Sequence, residues 1–144
     1  MTGIMRAHFN RDYEIAIALH RISDVLKHEV DAGLASSAVN FTQLSLLIAV
    51  AEGAASSPAE IARTLGVDPA VVTRTLDKLE GRGFIRRERS SHDRRSVRIF
   101  LTEPGLVSLA GLCNVAGNAL QERLGKISAE ECMLLSDVVA RLLE

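Results

Sequence analysis

The chain has 144 residues, which is enough for one domain with a sizeable hydrophobic core. Hydrophobic residues make up 47% of it and charged residues 24%, which is ordinary for a globular protein in water. The start of the sequence lacks the apolar region of a secretory signal, and no apolar run approaches the roughly 20 residues of a membrane span. These features argue against a secreted protein and against a membrane-spanning one. We therefore expect a cytoplasmic protein.

The formal net charge is −1, but the charges are segregated along the chain. The segment 73–98 holds nine basic and four acidic residues, a net charge of +5, which leaves −6 for the rest. Because salt screens charges beyond roughly 8–10 Å, a local basic patch attracts phosphate even on an acidic body. The basic segment is therefore compatible with a nucleic-acid partner.

The first part of the chain predicts two helices. Apolar residues recur at helical spacing in residues 10–31, forming the stripe Ile15, Leu19, Ile22, Leu26 and Val30. Gly33 and the small residues after it end this helix. Thr42 is predicted to cap the second helix, which ends near Gly53. The residues of this helix predicted to face the core are Leu44, Leu47, Ile48 and Ala51.

Two helix-start signals eleven residues apart predict a helix-turn-helix. The first is the capping box at residues 57–60, with proline at the first helical position. Gly66 ends that short helix and allows a left-handed turn, and Asp68 caps the next helix, which runs to about Gly81. The predicted buried stripe of this second helix is Val72, Leu76 and Leu79. The residues left for its exposed surface are Thr73, Arg74, Thr75, Lys78 and Arg82.

Two short strands follow, at residues 84–89 and 96–101, where apolar and polar residues alternate in the second strand. The polar loop between them, residues 90–95, is the tip of a wing. The predicted fold class is mainly α (α+β): a winged helix-turn-helix with a wing sheet of two or three strands. Such a fold places one helix in the DNA major groove and the wing alongside it.

The last part of the chain predicts two more helices, one starting at residues 102–104 and one capped by the box at residues 128–131. The terminal helices are more apolar than a small domain needs for its own core. We therefore expect one domain, 1–144, in which a DNA-binding lobe of residues 42–102 is joined to dimerisation helices at 9–33 and 103–144. Packing within the chain is the alternative.

The segment 57–105 resembles the DNA-binding part of MarR-family transcriptional regulators. The resemblance rests on residues 65–67 and 72–80, the G-F-I at 83–85, the wing sequence H-D-R-R-S-V at 92–97 and its exit L-T-E-P-G at 101–105. It implies a homodimeric regulator, favoured as a repressor, with six helices and a small wing sheet per subunit, and a pseudo-palindromic operator. It also implies release by a small, often phenolic or aromatic, ligand or by oxidation of a cysteine.

The resemblance also implies that Arg95 enters the DNA minor groove and that Asp93 orients the arginines of the wing loop. A guanidinium suits the narrow, strongly negative groove of A·T-rich DNA. On the recognition helix, threonine hydroxyls can bond phosphates or base edges, and Arg74 can bind guanine or a phosphate. The predicted DNA-binding set is Thr73, Arg74, Thr75, Lys78, Arg86, Arg87, Asp93, Arg94, Arg95 and Ser96. Of Arg86, Arg87 and Arg89, we expect some to touch phosphates and some to pair with Glu88 or Asp93.

Pro69 and Ala70 stand at the start of the recognition helix, where the family often has polar side chains. Neither side chain can hydrogen-bond a base. We therefore expect fewer direct base contacts and more reliance on Arg74, the wing and DNA shape. We also expect a ligand pocket among the first, second and fifth helices, with an aliphatic lining because only 3% of the residues are aromatic.

Other triggers and other functions stay open as alternatives. His20, Asp24 and His28 recur every four residues and can place metal ligands on one helix face, although a solvated face is the favoured interpretation and no metal or cofactor is predicted. Cys113 and Cys132 lie on apolar helices, where a buried inert cysteine is the default and a redox switch the alternative. A winged helix that only binds protein is disfavoured by the cationic wing. No catalytic grouping is present, so no enzyme is predicted.

Overall fold

The computed structural model describes residues 10–93 and 95–144. Within them, six α-helices and two strands follow in the predicted order, which confirms the winged helix-turn-helix fold class. A short 3-10 turn, Ala35–Ser37, stands between the first two helices. The bounds are α1 Arg11–Gly33, α2 Phe41–Ala51, α3 Pro58–Leu65, α4 Pro69–Gly81, β1 Ile85–Arg89, β2 Val97–Leu101, α5 Glu103–Leu124 and α6 Ala129–Leu143.

The predicted capping box at the start of α3 is confirmed. The Ser57 hydroxyl accepts the N–H of Glu60 at 3.2 Å, and the Glu60 carboxylate accepts the backbone N–H of Ser57 at 3.3 Å and that of Ser56 at 2.7 Å. The backbone and hydroxyl of Ser56 together hold the pKa of Glu60 below its usual range. A lowered pKa means that this cap stabilises the fold above the ordinary carboxylate pKa, and that the contribution is lost as the pH falls through the lowered value.

The prediction that Thr42 caps α2 is wrong, because the helix begins earlier. Asn40 is the cap: its side-chain oxygen accepts the N–H of Gln43 at 2.9 Å, and the Gln43 side chain accepts the N–H of Asn40 at 3.0 Å. Two backbone N–H groups that have no partner within the helix thus each find a side-chain acceptor. The prediction that Ala51 points inward is also wrong, since Ala51 is exposed, whereas Leu44 and Leu47 are buried as expected.

The hydrophobic core lies where α2, α3, α4 and the sheet meet. Its largest fully buried side chains are Leu34, Leu46, Leu47, Ile61, Val72, Leu76, Leu79, Ile85 and Ile99. The helix α2 is surrounded, because it packs against α3, α4, α5 and β2. A helix with few polar side chains suits such a central position, which is why Leu46 is buried as well as the predicted Leu44 and Leu47.

The sheet is a two-stranded antiparallel hairpin, in which Ile85 pairs with Leu101 and Arg89 with Val97. The wing returns into α5 at a close backbone approach. A Cβ atom at Gly105 would lie only 2.0 Å from the carbonyl oxygen of Phe84, so no larger residue fits without a backbone shift. This close contact explains why the L-T-E-P-G sequence has a glycine at its last position, residue 105.

The terminal helices leave much apolar surface open. The helix α1 packs along α5, and the Glu29 carboxylate accepts a hydrogen bond of 2.6 Å from Arg123. Of the predicted α1 stripe only Val30 is buried, and α6 contains no buried residue. The large apolar side chains left exposed on these helices are Ile15, Ile17, Leu19, Ile22, Leu106, Val107, Val115, Met133, Leu134, Leu135, Val139, Leu142 and Leu143. None of the described helices is long and apolar enough to cross a membrane.

Candidate nucleic-acid interface

The helix-turn-helix presents α4 with one face buried and the other open. Gly66 takes a left-handed φ of 62°, and the Asp68 side chain accepts the N–H of Ala70 at 2.7 Å. The turn thereby reverses the chain and starts α4 on the lobe surface. The predicted stripe of Val72, Leu76 and Leu79 is buried, and the exposed face carries Thr73, Arg74, Asp77 and Lys78.

The expectation that Thr75 lies on the exposed face is wrong. Its side chain is 7% exposed, and its hydroxyl donates to the carbonyl of Val71 at 2.7 Å. Thr75 follows Val72 by three residues, and residues three or four apart share one helix face. Thr75 therefore belongs to the buried face and cannot meet DNA there. Thr73 is exposed, and its hydroxyl donates to the Pro69 carbonyl at 3.1 Å, so its oxygen can still accept a hydrogen bond.

The wing arginines have different partners, which the sequence left open. The Nε of Arg86 donates to the Glu88 carboxylate at 2.9 Å, and its guanidinium lies 4.7 Å from the ring centroid of Phe100. Arg89 makes no ion pair with any of the described residues. Arg89 is therefore available to a phosphate, and Arg86 is available only at the expense of its pair with Glu88.

Arg87 joins the wing to the recognition helix. Its guanidinium forms a hydrogen-bonded ion pair with the carboxylate of Asp77 and lies 3.7 Å from that of Glu80. The backbone N–H of Arg87 also donates to Glu80, at 3.2 Å. The Arg87 side chain is 28% exposed, but its partners Asp77 and Glu80 are 62% and 45% exposed, so the pairs contribute little to stability and act mainly through their geometry. The contacts assign Arg87 to holding β1 against α4, although it was predicted to face DNA.

Replacing Arg87 by alanine is expected to weaken operator binding about tenfold without changing its salt dependence, because the residue orients the wing and does not release a counterion from phosphate. The measurement is the affinity over a series of salt concentrations. In Arg74→Ala, by contrast, the slope of log affinity against log salt should fall by about 0.9. Equal slope changes in the two variants would mean that Arg87 contacts phosphate.

Backbone hydrogen bonds close the wing tip. The N–H of Ser90 donates to the carbonyl of Ser96 at 2.9 Å, and the carboxylate of Asp93 accepts the N–H of Arg95 at 2.9 Å. Asp93 thus shapes the loop through the backbone of Arg95, whose side chain is exposed. Arg94 was predicted to bind DNA but lies outside the described residues, and the predicted Ser96 is exposed beside Arg95.

The open face of α4 adjoins the wing. A groove between them is lined by Pro58, Thr73, Leu76, Glu80, Arg87, Arg89 and Val97. Among the described residues, no acidic side chain pairs with Arg74, Lys78, Arg89 or Arg95. A helix face and a hairpin that share one side and carry unpaired cations form a surface suited to a phosphate backbone. Pro69 and Ala70 are exposed at the start of this face.

The metal and redox alternatives gain little from the structure. His20 lies 3.4 Å from Asp24 in an exposed pair on α1, and no group of three potential metal ligands occurs among the described residues. Cys113 and Cys132 are free and half-buried, one on α5 and one on α6. The redox alternative stays a hypothesis.

The cavity with the most aliphatic lining does not lie among the first, second and fifth helices, where the pocket was expected. It lies between the end of α5 and α6, has a volume of about 440 Å³ and is lined by Leu124, Cys132, Leu135, Ser136, Val139, Ala140 and Leu143. Between α1 and α5 lies a cavity of about 210 Å³ lined by Glu29, Ala32, Ala119, Glu122, Arg123 and Lys126, so its walls are largely charged. A more apolar cavity of about 360 Å³ lies between the DNA-binding lobe and α5, lined by Ser37, Val39, Arg82, Phe84, Ser108, Gly111, Leu112 and Val115.

Comparison with known proteins agrees with this geometry. Residues 39–97 match the model of the MarR family. The protein YdgJ from Bacillus subtilis (strain 168), described as an uncharacterized HTH-type transcriptional regulator, is 28% identical over 141 residues. That similarity covers 96% of this chain and 83% of YdgJ.

Two solved structures share the fold. A cysteine-to-serine mutant of MarR from E. coli, complexed with operator DNA, has a TM-score of 0.79 at 23% identity, covering 95% of this chain and 99% of that one. CouR from Rhodococcus jostii RHA1, bound to p-coumaroyl-CoA, has a TM-score of 0.78 at 23% identity, covering 90% and 91%. The match at residues 39–97 shows that this part of the chain is a MarR-family domain, and the two solved structures share the winged helix-turn-helix fold around it.

Proposed function

We propose that the protein is a homodimeric, sequence-specific repressor that binds a pseudo-palindromic operator and is released by a small-molecule ligand. The observation that carries the DNA-binding part is the cationic surface shared by α4 and the wing, where Arg74, Lys78, Arg89 and Arg95 have no acidic partner among the described residues. Such a surface supplies phosphate contacts, and α4 has the length and exposure of a recognition helix. The operator complex of the E. coli relative supports the same use of the fold.

Dimerisation is supported by the apolar faces of the terminal helices. No residue of α6 is buried in the single subunit, although the helix carries Met133, Leu134, Leu135, Leu142 and Leu143. A helix of this composition gains stability only when its apolar side chains leave water. A second copy of the chain accounts for that burial and gives two recognition helices, which suit half-sites about one DNA turn apart, roughly 34 Å.

Ligand release is supported by the cavity between the DNA-binding lobe and α5. Phe84 stands at the start of the wing, Arg82 caps α4, and Leu112 lies on α5, so a ligand bound here would contact both parts of the subunit. A ligand that favours one relative position of these parts shifts DNA affinity, typically by about 1–3 kcal/mol. The binding of p-coumaroyl-CoA by CouR supports a ligand-responsive regulator without indicating which ligand this chain takes.

The test is selection of binding sites from random duplex DNA with the purified protein, followed by affinity measurements at two salt concentrations. We expect a pseudo-palindrome whose affinity falls steeply with salt, since each phosphate contact releases counterions. Failure to enrich any sequence, in the presence and absence of cell extract, would contradict the proposal and favour a winged helix used for protein contacts.

A further inference from the structure

We infer that Arg82 is a positioning residue that ties the recognition helix to the turn between α1 and α2 and so sets the separation of the two recognition helices in the dimer. The inference rests on the proposed dimeric DNA-binding function. It concerns an exposed residue at the end of α4 whose side chain binds backbone carbonyls of the turn after α1.

The contacts of Arg82 cross the subunit. Arg82 is the C-terminal cap of α4, and its guanidinium donates to the carbonyl of Ala38 at 2.6 Å and to that of Ser37 at 2.9 Å. The guanidinium also lies 4.8 Å from the ring centroid of Phe84. Two hydrogen bonds and a cation–π contact together restrict the position of one long side chain. The two acceptors lie 44 and 45 residues away along the chain.

The accepting segment has a conformation that benefits from such a link. Ser37 ends the 3-10 turn after α1, and Ala38 takes a left-handed φ of 52°, which is uncommon for a residue with a Cβ atom. Carbonyl groups at the end of a helical turn have no partner within it. The planar fork of an arginine presents two donors at once, which a lysine ammonium cannot do in the same geometry.

The link joins two parts with different proposed roles. The exposed stripe of α1 is proposed to meet the second copy, whereas α4 is proposed to enter the DNA groove. The turn after α1 is braced on its other side, because Asp31 of α1 accepts the N–H of Phe41 at 2.6 Å. A rotation of α4 relative to α1 breaks the hydrogen bonds of Arg82. Arg82 therefore resists changes in helix separation and makes the dimer selective for one half-site spacing.

The test compares the selected operator with a version that has one base pair inserted between the half-sites, which shifts one half-site by about 3.4 Å and rotates it by about 35°. Wild-type protein should discriminate strongly between the two. In Arg82→Ala the ratio of the two affinities should fall by about fivefold or more, because the recognition helices can adapt to the altered spacing. In Arg82→Lys, which retains the charge but not the fork, the ratio should fall between those of wild type and Arg82→Ala.

The control is Arg21→Ala, which removes an exposed arginine of α1 and should keep the wild-type ratio. Thermal melting checks that each variant is folded, and if Arg82→Ala is not, Arg82→Lys alone decides. An unchanged ratio in the folded variant overturns the inference. So does an equal loss on both operators with a salt slope lowered by about 0.9, which would make Arg82 a phosphate contact. If wild-type protein binds neither operator, the proposed function itself fails.

Discussion

The double variant Leu135→Glu, Leu142→Glu is expected to be monomeric and to bind the operator about 10²–10⁴-fold more weakly than the wild type. The two side chains are seven residues apart, on one face of α6, and are 45% and 65% exposed in the single subunit. Burying one unpaired carboxylate in an apolar interface costs several kcal/mol. A dimer of the double variant would have to bury four carboxylates, two from each subunit. A monomer engages only one half-site and loses the second binding event.

Sedimentation equilibrium and operator titration measure the two effects on one preparation. The matched control is Leu135→Met, Leu142→Met, which keeps both positions apolar and of similar volume. This control should remain dimeric and bind normally. Circular dichroism should show helical content in both variants, since neither residue is buried within the subunit. A glutamate variant that stays dimeric at the wild-type affinity would remove α6 from the interface.

Arg95→Ala is expected to weaken operator binding by about ten- to a hundredfold, with no change in the dimer or in the melting temperature. The side chain is exposed at the wing tip, and Arg95 makes a backbone hydrogen bond to Asp93, which alanine retains. The loss therefore comes from the guanidinium. Because a narrow A·T-rich minor groove attracts arginine most strongly, the loss should shrink when the base pairs beneath the wing are changed to G·C.

The matched control for the wing is Ser91→Ala, in the same loop, which removes an exposed hydroxyl and no charge. It should leave the affinity within twofold of wild type, about 0.4 kcal/mol. Titrations on the A·T-rich and G·C-rich operators then separate minor-groove insertion from simple charge attraction. An Arg95→Ala protein that binds both operators as tightly as wild type would contradict the role assigned to Arg95.

Local patterns predicted most of the DNA-binding lobe. Caps, glycine turns and the 3.6-residue period depend on neighbours in sequence, so Ser57, Asp68 and the stripe of α4 were correctly placed. For Thr42 and Thr75, where the predictions were wrong, the sequence also contains local patterns that indicate the correct structure. Asn40 with Gln43 is an N-x-x-Q capping box, and Thr75 continues the buried stripe at three residues from Val72.

The remaining differences depend on contacts between distant residues. The partners of Arg87 lie on another element, and those of Arg82 are more than 40 residues away, so no spacing rule reveals them. A row of arginines therefore predicts a cationic wing but cannot separate a DNA contact from a brace. The α1 stripe shows the same limit: periodicity identifies an apolar face but not whether that face meets its own chain or another.

The lack of any buried residue in α6 also bears on how the subunit survives before it finds a partner. In the proposed dimer, folding and association are one linked equilibrium, so the fraction of folded protein rises with its own concentration. At low expression the terminal helices open often, and an opened helix is a substrate for proteases. We therefore expect proteases to clear single subunits faster than dimers, so that few half-assembled regulators remain to occupy one half of an operator.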